Sequence, residues 1–206
     1  MATNSVRFET RPQPQTEIPI ILGSSSTNRK QVLQTAGWDF SCMSPDIDEK
    51  AIRCENPEEL VILISRGKTE ALLPRVTGSP SILICSDQVV SFQGTIREKP
   101  ENEDQARAYL SSYSGNSVST VSGVMVTNTG SGKSAEGVDV ATVHWDTISP
   151  EVIERVVARG EIMTSAGGFR IEDVDLSPLV KNIQGTKDSV LGLPLALVCD
   201  LIDQVL

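Results

Sequence analysis

Short apolar runs alternate with amphipathic segments along the chain, and this alternation predicts interleaved strands and helices. Residues 18–22 form an apolar run that ends at Gly23, which is typical of a buried strand. A helical stretch follows over residues 28–36 and is ended by Gly37, and residues 38–43 indicate a second strand. The chain therefore begins as a strand, a helix and a strand.

The next predicted helix carries clear start signals. Asn56 is a favourable cap residue, Pro57 suits the first helical position, and the two glutamates that follow complement the positive helix end. The helix is predicted to run through Lys68 to Leu72.

The second half of the chain continues the alternation of elements. The predicted segments are an apolar and then an alternating strand over 81–97 with a turn at Gln93-Gly94, a helix over 103–113, a long hairpin of 117–128 and 135–146, a helix opened by Ser149-Pro150 and closed by Gly160, and a final helix over 192–206. No internal repeat or low-complexity linker interrupts them. This order predicts an α/β fold with a mixed sheet flanked by helices.

Composition narrows the possible functions. The 206 residues are 39% hydrophobic, which suffices for one α/β domain, and the formal net charge is -9. Proteins that bind nucleic acid usually present a basic face, so this acidity argues against a nucleic-acid partner. No apolar run is long enough to span a bilayer, so no membrane partner is expected. Residues 1–17 are polar, contain two prolines and are predicted to form a flexible N-terminal tail.

The cysteines and the single histidine argue against a zinc site. The four cysteines form no C-x-x-C pair, and they are Cys42, Cys54, Cys85 and Cys199. His144 lies in an alternating strand, where a structural role is expected. We therefore predict single buried thiols in a reducing compartment and a cytoplasmic protein.

Two segments invite a phosphate-binding interpretation. Residues 130–134 read GSGKS, but Thr127 stands where a P-loop requires glycine, and the segment falls in the predicted hairpin turn. Residues 23–30 follow a strand and open a helix, so hydroxyls, free N–H groups and Arg29 would converge on an anion. A serine-rich helix cap with solvated basic residues explains the same segment equally well.

Several carboxylates and lysines are candidate metal-binding or catalytic residues, and each of them also has a purely structural explanation. Asp46, Asp48 and Glu49 cluster after a predicted strand, where they form either a Mg²⁺ site or an acidic surface loop. Asp87 directly follows an apolar run and is placed at the end of a buried strand, where ligands of α/β sheets often bind. The alternative for Asp87 is a structural aspartate in a turn. The alternative for Lys68 is a solvated side chain on the helix surface.

Taken together, these segments resemble the Maf family of nucleotide pyrophosphatases. The matching segments are ILGSSSTNRKQVL (21–33), SPDIDE (44–49), the helix with Lys68, CSDQVV (85–90), REKP (97–100), YSG (113–115), AGGFRIE (166–172) and SVLGLP (189–194). The resemblance covers residues 18–206 as a single catalytic domain and leaves the tail outside. It implies a twisted mixed sheet in two lobes with a central cleft, Maf/Ham1-like, and a possible homodimer. It also implies hydrolysis of a nucleoside triphosphate to the monophosphate and pyrophosphate.

The resemblance also implies roles for individual residues. The predicted catalytic residues are Asp87, Glu49, Lys68 and Lys99, and the predicted substrate-binding residues are Ser24, Ser26, Arg29, Gln88 and Glu172. Asp87 and Glu49 would hold a divalent cation, Mg²⁺ or Mn²⁺. Either carboxylate would serve as general base, and the sequence does not separate the two roles.

Departures from the commonest family pattern bear on the substrate. Thr27, Asn28 and Gln31 replace a Pro, an Arg and a Glu of the phosphate loop, while Gln88 replaces a Thr and Glu172 a Gln. The S-D-Q-V segment and the glutamate resemble the branch that acts on 7-methyl-GTP. The alternatives are a dTTP, UTP or CTP pyrophosphatase of the same family and a non-catalytic nucleotide-binding regulator of cell division. A nucleotidyltransferase fits less well, because no fitting glycine-rich signature is present beyond GSSS.

Overall fold

A seven-stranded mixed sheet forms the centre of the protein, and helices cover both of its faces. The computed structural model describes residues 11–206. The strands are β1 (Ile20–Gly23), β2 (Ser41–Cys42), β3 (Ile82–Phe92), β4 (Thr95–Arg97), β5 (Ser117–Asn128), β6 (Ser134–Trp145) and β7 (Val180–Gln184). The helices are α1 (Thr27–Thr35), α2 (Pro57–Leu72), α3 (Glu103–Tyr113), α4 (Pro150–Arg159), α5 (Lys187–Val190) and α6 (Leu195–Val205).

The sheet has the order β2-β1-β3-β5-β6-β7, and β4 pairs with β3 outside this path. β1 runs parallel to β2 and β3, whereas the remaining pairs are antiparallel. The parallel pairing of β3 with β1 ends where Gly23 faces Cys85, but its pairing with β5 continues to Ser91. β3 therefore extends well beyond the end of β1.

Two large apolar clusters divide the molecule into two lobes. One packs the first halves of β1 and β3 against α1 and α6, and includes Leu22 and Ile84. The other packs α3 and α4 against the far ends of β3, β5 and β6, and includes Tyr113 and Trp145. Because β3 and β5 contribute to both clusters, the long strands join the lobes, as the predicted two-lobed fold requires.

Close packing of α2 on β5 sets the height of this helix over the sheet. A Cβ at Gly123 would lie 2.6 Å from the carbonyl carbon of Val61, so only glycine permits this approach. The hydroxyl of Ser65 lies 2.7 Å from Val61 O and 3.0 Å from Gly123 O. Lys68 follows on the same helix face and is thereby held directly above β3.

The predicted elements are largely confirmed, and their ends carry the predicted signals. The Asn56 side chain caps α2, the Ser149 side chain caps α4, and Gly160 ends α4 in the left-handed region. Residues 130–133 lie in the turn between β5 and β6, as expected. The final helix begins at Leu195 rather than at Gly192, because Pro194 occupies its cap position. β7 and α5 were not predicted.

Three further expectations concern the chain's periphery. Cys85 and Cys199 are buried, but the prediction of four buried thiols is wrong for Cys42, which lies exposed on the two-residue edge strand β2, and for the partly exposed Cys54. Residues 1–10 of the predicted tail lie outside the described residues. Within the rest of the tail, Arg11 O accepts a hydrogen bond from Trp38 Nε1 at 2.9 Å.

Among residues 11–206, no helix combines the length and the apolar character needed to cross a membrane.

Candidate active site

One cleft between the two lobes, with a volume of about 970 Å³, brings together every predicted site residue. These residues are Ser24, Ser26, Arg29, Glu49, Lys68, Asp87, Gln88, Lys99 and Glu172. They come from the turn before α1, α1 itself, the turn before α2, α2 itself, β3, the segment after β4 and the loop after α4. Distant parts of the sequence therefore converge as the resemblance implies.

A buried ammonium group between two carboxylates forms the floor of the cleft. Lys68 Nζ lies 2.7 Å from Asp87 Oδ1 and 2.9 Å from Glu49 Oε1, and it also donates to Ser86 O at 3.3 Å. Lys68 is only 3% exposed and Asp87 only 7%. A charge this deep is stable only when it is paired and hydrogen-bonded, so each of these two groups offsets the cost of burying the other.

Asp87 does not end its strand, contrary to the sequence prediction. It lies inside β3, because β5 pairs with β3 past this point and faces Asp87 with Gly123. β1, however, has ended two residues earlier, at the level of Cys85. Side chains alternate along a strand, so Asp87 shares the α2 face of the sheet with Cys85. The end of β1 opens the sheet there and admits a ligand to the carboxylate.

Glu49 joins the floor from a short 3₁₀ turn, Glu49–Ala51, that Asp48 caps. Burial alone would raise the pKa of Glu49, but the charge and hydrogen bond of Lys68, with the charges of Lys99 and Arg29, lower it below its ordinary value. Glu49 is thus held as a carboxylate next to Asp87.

This lowered pKa predicts a pH effect on stability. A carboxyl group whose folded-state pKa is depressed stabilises the protein above its unfolded-state pKa, and the contribution disappears as the pH falls through the folded-state value. We expect the melting-temperature difference between the wild type and Glu49→Gln to shrink as the pH falls from about 6 to about 3. The effect is small because the Glu49 side chain is 47% exposed. A constant difference over this range would contradict the ion-pair assignment.

The turn before α1 is both a helix cap and part of the cleft. Ser26 caps α1 by accepting a hydrogen bond from Arg29 N at 3.4 Å, while Ser26 N donates to Ser24 Oγ at 3.1 Å. The buried Arg29 side chain donates from Nε to Gly192 O at 2.9 Å and from one Nη to Ser24 Oγ at 3.4 Å. Burial lowers the pKa of Arg29, and the negative charges of Asp87 and Glu49 oppose this effect. The helix-cap interpretation is therefore confirmed for Ser26, but Arg29 is buried rather than solvated, and phosphate binding by this segment stays a prediction.

The Glu172 carboxylate also lines the cleft. Glu172 Oε1 is buried and has no hydrogen-bond partner within residues 11–206, although Lys187 Nζ lies 3.7 Å away. The Glu172 side chain as a whole is 25% exposed and lines the cleft. Carboxylate oxygens accept hydrogen bonds, so a donor group of a ligand would fit at the part of this side chain that faces the cleft. Lys99 is exposed and lines the same cleft.

The acidic cluster of the sequence does not act as one unit. Asp46 and Asp48 are exposed and do not line the cleft, because Asp48 caps the turn that carries Glu49. The part of the chain described here contains no group of three His, Cys, Asp or Glu side chains arranged to hold a metal ion. The convergent carboxylates of Asp87 and Glu49 nevertheless fit Mg²⁺ or Mn²⁺, since such ions commonly take one or two carboxylates and complete their shell with water and substrate phosphates.

Sequence reasoning missed two features of the cleft. Lys187 approaches Glu172 from α5, a helix of four residues that no periodic pattern indicates. The turn 189–192 supplies backbone carbonyls to Arg29, Ser86 and Gln88. The SVLGLP motif drew attention to this turn, but it gave no indication of which side chains the carbonyls contact.

Comparisons with known proteins identify the family to which the chain is similar. The family model described as "Maf-like protein" matches residues 19–205. A 7-methyl-GTP pyrophosphatase of Dictyostelium discoideum is 47% identical over 92% of this chain and 98% of its own length. A protein of the same name from Idiomarina loihiensis is 33% identical over 90% and 93% of the two chains. A dTTP/UTP pyrophosphatase of Clostridium perfringens is also 33% identical, over 85% and 91%.

The solved structure of a HAM1 protein from Coxiella burnetii matches 62% of this chain and 73% of that chain, with a TM-score of 0.38 and 14% identity. So distant a likeness adds nothing to the assignment, which rests on the match over residues 19–205 and on the relatives that span both chains. The family predicted from the sequence motifs is confirmed: the chain belongs to the Maf family.

Proposed function

We propose that this protein hydrolyses a nucleoside triphosphate to the monophosphate and pyrophosphate, and that 7-methyl-GTP is its preferred substrate. The observation that carries the proposal is one cleft lined by several basic side chains together with the two floor carboxylates, and also by the separate carboxylate of Glu172. A triphosphate suits the first feature and a base rich in hydrogen-bond donors suits the second. Relatives that span nearly the whole chain carry the matching names.

The triphosphate binds between the turn before α1 and the floor of the cleft. Arg29, Lys68 and Lys99 supply positive charge there, and the serine hydroxyls and the N-terminus of α1 add donors. Charge-assisted hydrogen bonds to phosphate oxygens are stronger than neutral ones. The same groups stabilise negative charge as it develops on the departing pyrophosphate.

Water attacks the α-phosphorus, and the bond from that phosphorus to the bridging oxygen of the pyrophosphate breaks. Asp87 or Glu49 accepts the proton of the attacking water, since both carboxyl groups lie at the floor of the cleft. A bound Mg²⁺ or Mn²⁺ would be held by the same two carboxylates and would polarise phosphate oxygens and acidify water. Lys68 orients both carboxylates by its contacts with them.

The base lies at the Glu172 end of the cleft. An ionised carboxylate only accepts hydrogen bonds, and guanine offers two adjacent donors, N1–H and the 2-amino group. Uracil or thymine would place a carbonyl oxygen against this carboxylate, and such a mismatch costs about 1–3 kcal/mol. Cytosine has one amino donor, so its mismatch with this carboxylate is intermediate between those of guanine and uracil.

The first test measures pyrophosphate release from 7-methyl-GTP, GTP, CTP, UTP and dTTP with Mg²⁺ or Mn²⁺. We expect 7-methyl-GTP to give the highest kcat/KM. A clear preference for UTP or dTTP would instead support the second activity carried by a relative's name. No turnover of any nucleotide, together with tight nucleotide binding, would support the regulator interpretation, which the intact Asp87–Lys68–Glu49 arrangement argues against.

Replacing Glu172 by glutamine tests the base contact itself. We expect Glu172→Gln to lower kcat/KM for 7-methyl-GTP by roughly tenfold and to raise the relative use of UTP and dTTP, because glutamine both donates and accepts. Glu101→Gln removes a carboxylate elsewhere on the cleft wall and is the matched control, for which the substrate ranking stays as in the wild type. An unchanged ranking in Glu172→Gln would show that this side chain does not read the base.

The homodimer, the cytoplasmic location and the absence of nucleic-acid or membrane partners stay predictions. Light scattering on the purified protein tests the first of them, because a dimer doubles the measured mass.

A further inference from the structure

Two side chains of β3 donate hydrogen bonds to backbone carbonyls of the turn 189–192. Gln88 Nε2 lies 3.0 Å from Ser189 O, 3.3 Å from Val190 O and 3.0 Å from Ser122 Oγ. Ser86 Oγ, two residues earlier and on the same face of the strand, donates to Gly192 O at 3.0 Å. The turn is therefore fastened to the sheet by side chains at both of its ends.

The same turn holds the guanidinium group of Arg29. Gly192 O accepts from Arg29 Nε at 2.9 Å as well as from Ser86 Oγ, so one carbonyl links β3 to α1. Gly192 has a φ of 91°, and a Cβ there would lie 3.2 Å from Gln88 Oε1 and 3.4 Å from Arg29 Nε. Glycine alone gives the carbonyl this direction without crowding the two side chains.

Gln88 has little capacity left for a substrate. Its amide nitrogen carries two hydrogens, and three protein acceptors already surround it, while its oxygen lies beside Gly192. This geometry differs from the substrate-contacting role expected from the sequence. It places Gln88 among the groups that support the turn.

We propose that Ser86 and Gln88 are positioning residues, which orient Arg29 toward the phosphates through the carbonyl of Gly192. The proposal rests on the proposed function in one respect, namely that Arg29 binds a phosphate group. With Nε fixed on this carbonyl and one Nη hydrogen on Ser24 Oγ, the other N–H groups of the guanidinium are left for the ligand. Preorganisation of this kind matters because a small misplacement of a binding group lowers the rate strongly.

A double-mutant cycle tests whether Gln88 acts through Arg29. Gln88→Met keeps the size of the side chain but removes its donors, and we expect it to lower kcat/KM for the best nucleotide by roughly ten to a hundredfold. In an Arg29→Ala background the same change has an effect within about twofold, since no guanidinium remains to be oriented. Gln204→Met, on the exposed face of α6, is the matched control and leaves kcat/KM at the wild-type value.

A binding probe without a base separates this proposal from the proposed function. The affinity of inorganic tripolyphosphate with Mg²⁺, measured by calorimetry, is expected to fall in Gln88→Met, whereas the double variant binds it no more weakly than Arg29→Ala alone. This pattern supports the positioning role even if no nucleotide is hydrolysed. If the losses caused by the two single substitutions instead multiply in the double variant, in affinity and in kcat/KM, Gln88 and Arg29 act independently and the positioning role is overturned. If Gln88→Met does not fold, the same double-mutant cycle is measured with Ser86→Ala, which removes a single hydroxyl.

Discussion

Asp87→Asn lowers turnover by about a hundredfold or more while the protein stays folded. Asparagine has nearly the shape of aspartate, so the packing under α2 is kept, but it neither accepts a proton from water nor offers a charged oxygen to a cation. Lys68 keeps Glu49 as its partner at 2.9 Å, so its charge is not left unpaired. Steady-state pyrophosphate release and a thermal melt of the same preparation measure the two effects separately.

Asp46→Asn is the matched control for this substitution. Asp46 lies on the same acidic segment as Glu49 but is exposed and outside the cleft, so its turnover is expected to equal that of the wild type. Near-normal turnover of Asp87→Asn would exclude Asp87 both as the base and as a ligand of the cation.

Lys68→Met is expected to damage stability as well as activity. It leaves the buried Asp87 carboxylate without its countercharge, and breaking a buried ion pair in this way costs about 3–5 kcal/mol of unfolding free energy. Glu49 contributes less to this cost, because it is half-exposed and is free to turn toward solvent. Denaturant unfolding measures the loss, and activity is compared at a temperature where the variant is folded.

Lys99→Met separates the electrostatic role of a lysine from its structural role. From the sequence alone the two lysines receive the same function, but Lys99 is exposed where Lys68 is buried. We expect Lys99→Met to raise KM for the triphosphate while its unfolding free energy stays within about 0.5 kcal/mol of the wild type. A Lys68→Met protein as stable as the wild type would show that the buried pair is not what holds the floor of the cleft together.

Much of the fold is predictable because local sequence signals define where several helices begin and end. Asn56 with Pro57, and Ser149 with Gly160, fix helix ends by local hydrogen bonding and local backbone geometry. β7 and α5 lack such marks. β7 is mostly polar or half-exposed, and α5 has only four residues, so tertiary pairing rather than periodicity defines them.

For the candidate site too, some features follow from local sequence motifs and others depend on long-range contacts. Motifs identify Asp87 and Lys68, but the bond between them arises because Gly123 lets α2 approach the sheet closely. The position of Asp87 inside β3 depends on how far β5 pairs with it, and no local pattern encodes this. The orientation of Arg29 depends on a carbonyl 163 residues away along the chain. Residue identities were therefore predictable, whereas their contacts required the fold.

Hydrolysis of 7-methyl-GTP in heavy-oxygen water tests the central claim most directly. Attack on the α-phosphorus places the labelled oxygen in the nucleoside monophosphate and leaves the pyrophosphate unlabelled, with one pyrophosphate formed for each monophosphate. We expect this pattern, and we expect the rate at which labelled monophosphate forms to fall by about a hundredfold or more with Asp87→Asn. Label in the pyrophosphate, release of inorganic phosphate with a nucleoside diphosphate, or no turnover of any triphosphate would contradict the account.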